Sequence, residues 1–336
     1  MFLGIPRSCT SQADTSISRR IHEILRSVSR TPEKEERPFM QEPQMQYFVK
    51  RAYKPVFTPE TMPRLLYVSR RPASEESHPR LLHAHPDFVE VRLIDEGEAR
   101  FLVGDTTYDV SAGDLLLLNS GVVHDELSTG VFGSWCIAVS GLPLPGLRKD
   151  ALVAEDAPVV YPVGDELADL RALYDMMHRY ISADRPDCEA FCHRLMLALL
   201  DRVITISGSV SISPAVDPAP DSLGRQVQAY IDQHYSEPLT LQQIGQALHV
   251  SPYYLAHAFK ESCGYSPRQY LLRRRLGEAQ GLLITTDLPI SRIAEMVGYE
   301  TQNYFDQQFS KHMGTTPRKF RQSFQAKLEE PNAKDE

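Results

Sequence analysis

Three histidines and a glutamate in the first half of the chain have a spacing that can serve metal or ligand chemistry. His83-Ala-His85 is followed after four residues by Glu90, and after six more by Gly97. Further on, Gly113 precedes Asn119-Ser-Gly121 and then His124. Residues two apart on a strand face the same side, so His83 and His85 can point inward together. Three imidazoles and a carboxylate suit a divalent transition metal such as Fe, Mn, Zn or Ni. The same side chains can instead line a pocket for a small organic effector, so His83, His85, Glu90 and His124 carry two readings. Cys188 and Cys192 stand four apart on an expected helix, where they could form half a metal or redox site. With no partner pair they read as core thiols, as Trp135 and Phe132 read as core aromatics. No residue is assigned a catalytic role.

The elements that must position these groups follow from periodicity. From about 46 to 140 the signals are β: apolar stretches at Phe88–Ile94, Arg100–Val103, Leu115–Leu118 and Trp135–Val139, with turns expected at Glu96-Gly97, Gly104-Asp105 and Ala112-Gly113. Strands at this spacing suggest a small barrel or sandwich. The period then changes. Leu167, Leu170, Leu173, Tyr174 and Met177, then Phe191, Leu195, Ala198, Leu199 and Val203, mark two amphipathic helices over 165–182 and 187–206. These are expected to mediate a homodimer. Residues 207–222 have linker composition, and 1–44 read as a flexible extension with at most one short helix near 18–29. Met45 offers an alternative start.

From 223 to about 325 everything reads helical, with a flexible tail over 326–336, and this helical segment contains a repeat. Phe259, Gly264 and Pro267 recur as Phe309, Gly314 and Pro317, offset by 50; Ile244 and Val250 recur as Ile293 and Tyr299, offset by 49. One supersecondary unit is therefore used twice, with one extra residue in the second turn. In the first unit Leu239, Leu241, Ile244, Ala247 and Leu248 form a supporting face that Thr240 can cap. Ser251 and Pro252 start a second helix that buries Leu255 and Phe259. In the second unit Ile290, Ile293, Ala294 and Val297 support a helix that buries Phe305 and Phe309. One long helix over 267–284, carrying Arg273-Arg274-Arg275, joins the two; the arginines are expected to face phosphate or solvent.

This segment resembles the DNA-binding domain of the AraC/XylS family, most specifically in Phe309-Ser-Lys-His-Met-Gly314-Thr-Thr-Pro317-Arg-Lys-Phe320-Arg321. The resemblance covers about 100 of 336 residues. It implies two recognition helices in successive major-groove segments, about 34 Å apart on one DNA face. It places base-reading positions at Tyr253, Ala256 and His257 in the first unit and at Gln302, Asn303 and Gln307 in the second, with Arg273 as a further contact. His249 stands at a turn position where the family usually has Gly. The histidine-bearing region resembles the two cupin motifs, which implies that His83, His85, Glu90 and His124 converge inside a β-barrel. Asn119 replaces the usual Pro and Ser128 the usual Asn.

The net charge of −8 divides unevenly. Residues 223–327 hold twelve Lys/Arg and eight Asp/Glu, so that segment is +4 and the remainder −12. The basic excess lies where phosphate would be met. The longest apolar runs, Leu115–Leu118 and Leu195–Leu200, are far too short to span a membrane, and no leader-like apolar stretch opens the chain. Five scattered cysteines do not form a disulfide framework and fit a reducing cytoplasm.

The expected fold is multidomain α+β. A cupin-like sensing barrel (45–164) is followed by two amphipathic helices (165–206), a linker (207–222) and an all-α double helix-turn-helix domain (223–325). The expected function is a cytoplasmic, non-enzymatic transcription regulator. It would bind double-stranded promoter DNA under control of a small-molecule effector, or a metal as cofactor, and would contact RNA polymerase if it activates. The competing reading is a metal-dependent cupin enzyme, a dioxygenase or isomerase, with an accessory helical module.

Overall fold

A computed structural model describes residues 55–74, 80–127, 131–208 and 222–329. The chain divides into two units at Lys54/Pro55, and every described residue belongs to the second. The expectations for residues 1–44, most of the linker, Ser128 and the end of the tail lie outside the described residues.

Seven strands build the front domain: β1 (Arg64–Arg71), β2 (Val89–Val103), β3 (Thr106–Ser111), β4 (Asp114–Leu118), β5 (His124–Glu126), β6 (Phe132–Ser140) and β7 (Val160–Pro162). They pair antiparallel in the order β1-β6-β2-β4-β7, with β3 and β5 pairing with β2 off this path. The expected turn at Glu96-Gly97 does not exist. Instead β2 continues for fifteen residues, and its register with β6 shifts between Ile94 and Glu96. Gly97 takes φ +72° there, and a Cβ would meet the Val131 carbonyl oxygen and Phe132 Cα. The glycine thus marks a bend inside a strand, which composition alone cannot separate from a chain reversal. Beyond the bend β2 changes partners, from β6 and β4 to β3 and β5, and so serves both layers.

The register divides the faces. Antiparallel partners share a face, and on β1, β2 and β6 one face carries Val68, Val91, Leu93, Trp135, Ile137 and Val139. This face is covered by α1 (Leu167–Ser182) and α2 (Cys188–Ser207), whose Leu170, Tyr174, Met177, Cys192, Met196, Leu199 and Val203 pack into the same core. The Tyr174 hydroxyl donates to the Val91 carbonyl at 2.8 Å. The apolar stripe on which a homodimer was expected is therefore spent on the chain's own sheet. The opposite face carries Tyr67, Ser69, Arg71, Glu90, Arg92, Ser134 and Cys136. That face is the inner one.

The C-terminal helices are α3 (Leu223–His234), α4 (Leu241–Ala247), α5 (Pro252–Cys263), α6 (Pro267–Thr285), α7 (Ile290–Met296), α8 (Gln302–Met313) and α9 (Pro317–Glu329). Their starts follow local chemistry. Thr240, Ser251, Ser266 and Thr301 each accept a backbone N–H three residues on. Pro252 and Pro267 occupy the first helical turn, where no N–H is needed. Leu255, Phe259, Phe305 and Phe309 are fully buried, as the repeat requires.

Candidate functional site: a histidine cluster behind a DNA-reading face

His83 and His124 face each other across an isolated antiparallel bridge, which places both rings beside Glu90 on β2. His85 joins them. The four side chains each offer a ligand atom, and these atoms all lie within 4.8 Å of one another. His85 Nε2 is 3.2 Å from Glu90 Oε1, and His124 Nε2 is 3.7 Å from Glu90 Oε2. The imidazoles are held from behind. His83 Nδ1 donates to the Leu81 carbonyl at 2.7 Å and His124 Nδ1 to the Val122 carbonyl at 3.0 Å. A carbonyl only accepts, so Nδ1 carries the proton and Nε2 presents its lone pair to the centre. His83 Nε2, His124 Nε2 and Glu90 Oε2 are buried there without a hydrogen-bond partner.

Electrostatics sharpen the picture. Burial, with Arg80 adding to it, holds the His83 imidazole well below its ordinary pKa. Burial also lowers that of His124, to about 4, against the pull of Glu90. Burial by itself would raise the Glu90 carboxyl, but His85, Arg92 and His124 more than offset it and hold the group well below the usual range. His83 and His124, with Nδ1 donating to a carbonyl, present Nε2 lone pairs beside the Glu90 carboxylate, which is what a cation requires. Asn119 serves the fold: its Oδ1 accepts from Leu152 N at 2.7 Å and its Nδ2 donates to the Val153 carbonyl at 2.9 Å. Cys188 and Cys192 are buried as free thiols.

The sequence reading missed other groups on the inner face. Arg71 pairs with Glu126, and Tyr67 donates to Glu90. Arg92 lies 3.6 Å from Glu90 and donates to Ser134 Oγ at 3.2 Å. Their signal was present in the alternation Tyr67-x-Ser69-x-Arg71 and Glu90-x-Arg92.

On the DNA-reading side, Tyr253 is 76% exposed and His257 is exposed beside it, with ring centroids 4.6 Å apart. Gln302, Asn303 and Gln307 are exposed on α8, and Asp306, half-buried, accepts from Gln302 Nε2 at 3.4 Å. Ala256 lies half-buried in the wall of a groove of about 750 Å³ that Tyr304, Gln308 and Lys311 of α8 also line, so α5 and α8 border one groove. His249 adopts φ +55° where the second unit has Gly298 at φ +87°, so the histidine meets the turn's left-handed requirement.

The three arginines of α6 do not lie where they were expected. Arg273 makes a bidentate pair with the fully buried Asp125 of β5, at 2.6 and 2.8 Å. Arg274 is buried between Asp232 and Glu278. Arg275 donates to the Tyr235 and Glu237 carbonyls at 2.6 and 2.7 Å. A run of cations reads as surface in sequence, but here one member docks the front domain and two tie the helical domain together.

The comparisons with known proteins match these two regions. Residues 66–130 match the AraC-like ligand binding domain family, and residues 244–323 match a helix-turn-helix domain family. In both regions the chain is similar to AraC/XylS-type transcription regulators. Among curated relatives, it is 24% identical over 250 residues to the uncharacterized HTH-type transcriptional regulator YdiP of Escherichia coli K12, covering 72% of this chain and 81% of that one. It is 25% identical over 240 residues to the lactose operon transcription activator of Staphylococcus xylosus, covering 70% and 84%. Among solved structures, the C-terminal domain of AraT from Geobacillus stearothermophilus is 39% identical over 32% of this chain and 88% of that one, with a TM-score of 0.30. The regulator thus has a ligand-binding domain in front of a helix-turn-helix DNA-binding domain, and no described helix is long and apolar enough to cross a membrane.

Proposed function

We propose that this regulator is a sequence-specific promoter-binding protein whose front domain binds a divalent transition metal through His83, His85, Glu90 and His124, and that α6 reads the state of that site. The reading makes it a cytoplasmic protein without catalytic activity.

One observation carries the proposal: the chain segment that bears His83 is also the surface on which α6 docks. Leu81 and Leu82 straddle the helix. Leu81 enters the core of the second helix-turn-helix unit and Leu82 that of the first. Between them α6 passes at Gly277, where a Cβ would overlap the Leu82 carbonyl oxygen, so only glycine permits the approach. Leu81 N donates to Gln280 Oε1 at 2.9 Å, while the Leu81 carbonyl accepts from His83 Nδ1. On the opposing strand, His124 is followed directly by Asp125, the partner of Arg273. Both ligand histidines are thus one or two residues from a contact with the helix that joins the two DNA-reading units.

A metal, when bound, supplies a fixed cation that holds three imidazoles and a carboxylate in one geometry. The chain's own residues do the rest. The carbonyls of Leu81 and Val122 orient the rings, and the 81–83 and 122–125 segments would transmit that order to α6. Control by this route requires that metal bind one α6 arrangement more tightly than another.

The test uses the full chain purified without a metal-affinity tag. About one equivalent of Fe, Mn, Zn or Ni is expected by elemental analysis, lost in His83→Ala and His124→Ala, with DNA affinity that changes on chelation. Arg273→Gln should keep the metal and lose the response of DNA binding to it. Absence of metal, or an unchanged response in Arg273→Gln, would overturn the reading.

A further inference from the structure

Among the described residues, the inner face of the barrel holds more positive charge than its acids can neutralise. Arg71 and Arg92 stand on that face and Arg80 lies where its charge is felt by His83, and the Nε atom of each is buried without a hydrogen-bond partner. Two carboxylates oppose them: Glu126, paired with Arg71, and Glu90, 3.6 Å from Arg92. Glu126 and Glu90 are both nearly fully buried. One positive charge is left over, and a divalent ion at the cluster would raise the excess to three.

The hydrogen-bonding inventory points the same way. Once a cation takes the lone pairs of His83, His85, His124 and Glu90, the atoms still unpaired on this face among the described residues are the three guanidinium Nε atoms, and arginine has donors only. Buried donors on cations are costly unless an acceptor meets them, and an anion meets both the charge and the donor requirement. The arginines are not arranged for each other. Arg71 stacks over Phe132 at 4.0 Å and Arg92 lies over Phe101 at 5.7 Å, so two aromatic faces support the planar groups. Arg80 lies at the α6 side, its Nη2 3.8 Å from where a Cβ of Gly281 would stand, and its charge is felt by His83 and Tyr67.

We infer that the barrel binds a small oxyanion, a carboxylate or a phosphate, held by Arg71, Arg80 and Arg92 beside the metal cluster. The effector class is therefore acidic and not a neutral sugar or an amine. The planar fork of arginine suits the paired oxygens of either source. Arg80 next to α6 gives the anion its own contact with the helix that joins the DNA-reading units. The assignment rests on the metal reading for the size of the charge excess but on the arginines for the binding itself.

The experiment is calorimetric titration of the metal-analysed full chain with oxalate, succinate and inorganic phosphate, each carboxylate paired with its neutral diamide. At least one oxyanion should bind, with an affinity at least tenfold above any diamide. Arg92→Gln should lower that affinity at least tenfold, measured at matched metal content, and Arg92→Lys should restore part of it. Succinate or oxalate binding above phosphate would assign a carboxylate effector, and the reverse order a phosphorylated one. Diamides binding as well as the acids, no binding of any of the three anions, or an Arg92→Gln protein with undiminished affinity would overturn the inference. Arginine-dependent anion binding in a chain that carries no metal would leave this inference standing and remove the metal site. Metal without anion binding would do the opposite.

Discussion

The two helix-turn-helix units repeat one pattern at an offset of 49 to 50 residues, yet they are attached to the rest of the molecule differently. The first shares its core with Leu82, Leu102 and Val123 of the front domain, and α3 adds polar ties: Arg225 to Asp105 at 2.7 Å and Gln228 to the Gly104 carbonyl at 3.0 Å. The second receives Leu81 from the front domain and is otherwise built from α6 and its own helices, with the Phe305, Phe309 and Phe320 rings in successive contact. Their exposed faces differ as well. The first shows Tyr253 and His257, the second Gln302, Asn303 and Gln307. Duplication thus supplies two units of the same shape, while the unit pinned to the front domain and the unit with the amide-rich face are different ones. The front domain meets the first unit through a shared core and the second through Leu81.

The largest effect that can sharpen this contrast comes from the two equivalent phenylalanines. Phe259→Ala and Phe309→Ala should each cost about 3–5 kcal/mol of stability. Only Phe259→Ala should also speed hydrogen exchange at residues 82 and 123, because only that core contains Leu82 and Val123. Equal exchange in the two variants would remove the asymmetry.

Next is a pH dependence confined to the first unit. Burial, opposed by Arg274 and Tyr270, raises the Asp232 carboxyl from 3.8 to about 6. The folded state therefore holds the proton more tightly than the unfolded chain does. The stabilisation is fully present below the unfolded value and is lost as pH rises through about 6. It amounts to at most about 3 kcal/mol. Denaturant titrations at pH 4 and pH 7 should show that this part of the slope disappears in Asp232→Asn. An unaltered slope would mean the carboxyl titrates normally.

On the reading face, Gln302→Ala and Asn303→Ala should weaken specific DNA binding by about 1–3 kcal/mol and leave nonspecific binding intact. Equal loss on all sequences would make those residues structural. The smallest effect separates the two turns. His249→Gly should stabilise by no more than about 1 kcal/mol, because the histidine already sits at φ +55°. Gly298→Ala should destabilise by more than that, since a Cβ there would stand 2.8 Å from the Ser236 carbonyl oxygen and 2.9 Å from the Tyr235 carbonyl oxygen. Similar behaviour at both positions would show that the turns are not distinguished by this approach.

Local chemistry made much of this legible in the sequence. Caps at Thr240 and Ser251, prolines at first-turn positions and buried aromatics at fixed offsets are decided within a few residues, and the helices follow them. The histidine set was legible because motif spacing acts locally; the strand expected to carry His83 and His85 is instead irregular chain with a single bridge at His83. What could not be read depended on distant partners. The bend at Gly97 is set by the close approach of Val131 and Phe132, and a glycine in a β segment signals a turn equally well. The roles of Arg273, Arg274 and Arg275 depend on Asp125, Asp232 and two backbone carbonyls far away in sequence. The amphipathic helices showed that an apolar surface would be covered but not by what; the cover is their own sheet. The arginines of the inner face escaped notice because single charges at period two look like a solvated strand until the opposite face is seen to be buried.

The most direct test is a hydroxyl-radical footprint of the full chain on DNA selected from a random pool. Two protected segments about one helical turn apart on one face are expected, with Asn303→Ala relaxing the base preference of one segment and leaving the other as it was. A single protected segment, or protection without any sequence preference, would contradict the account of two joined readers with different faces.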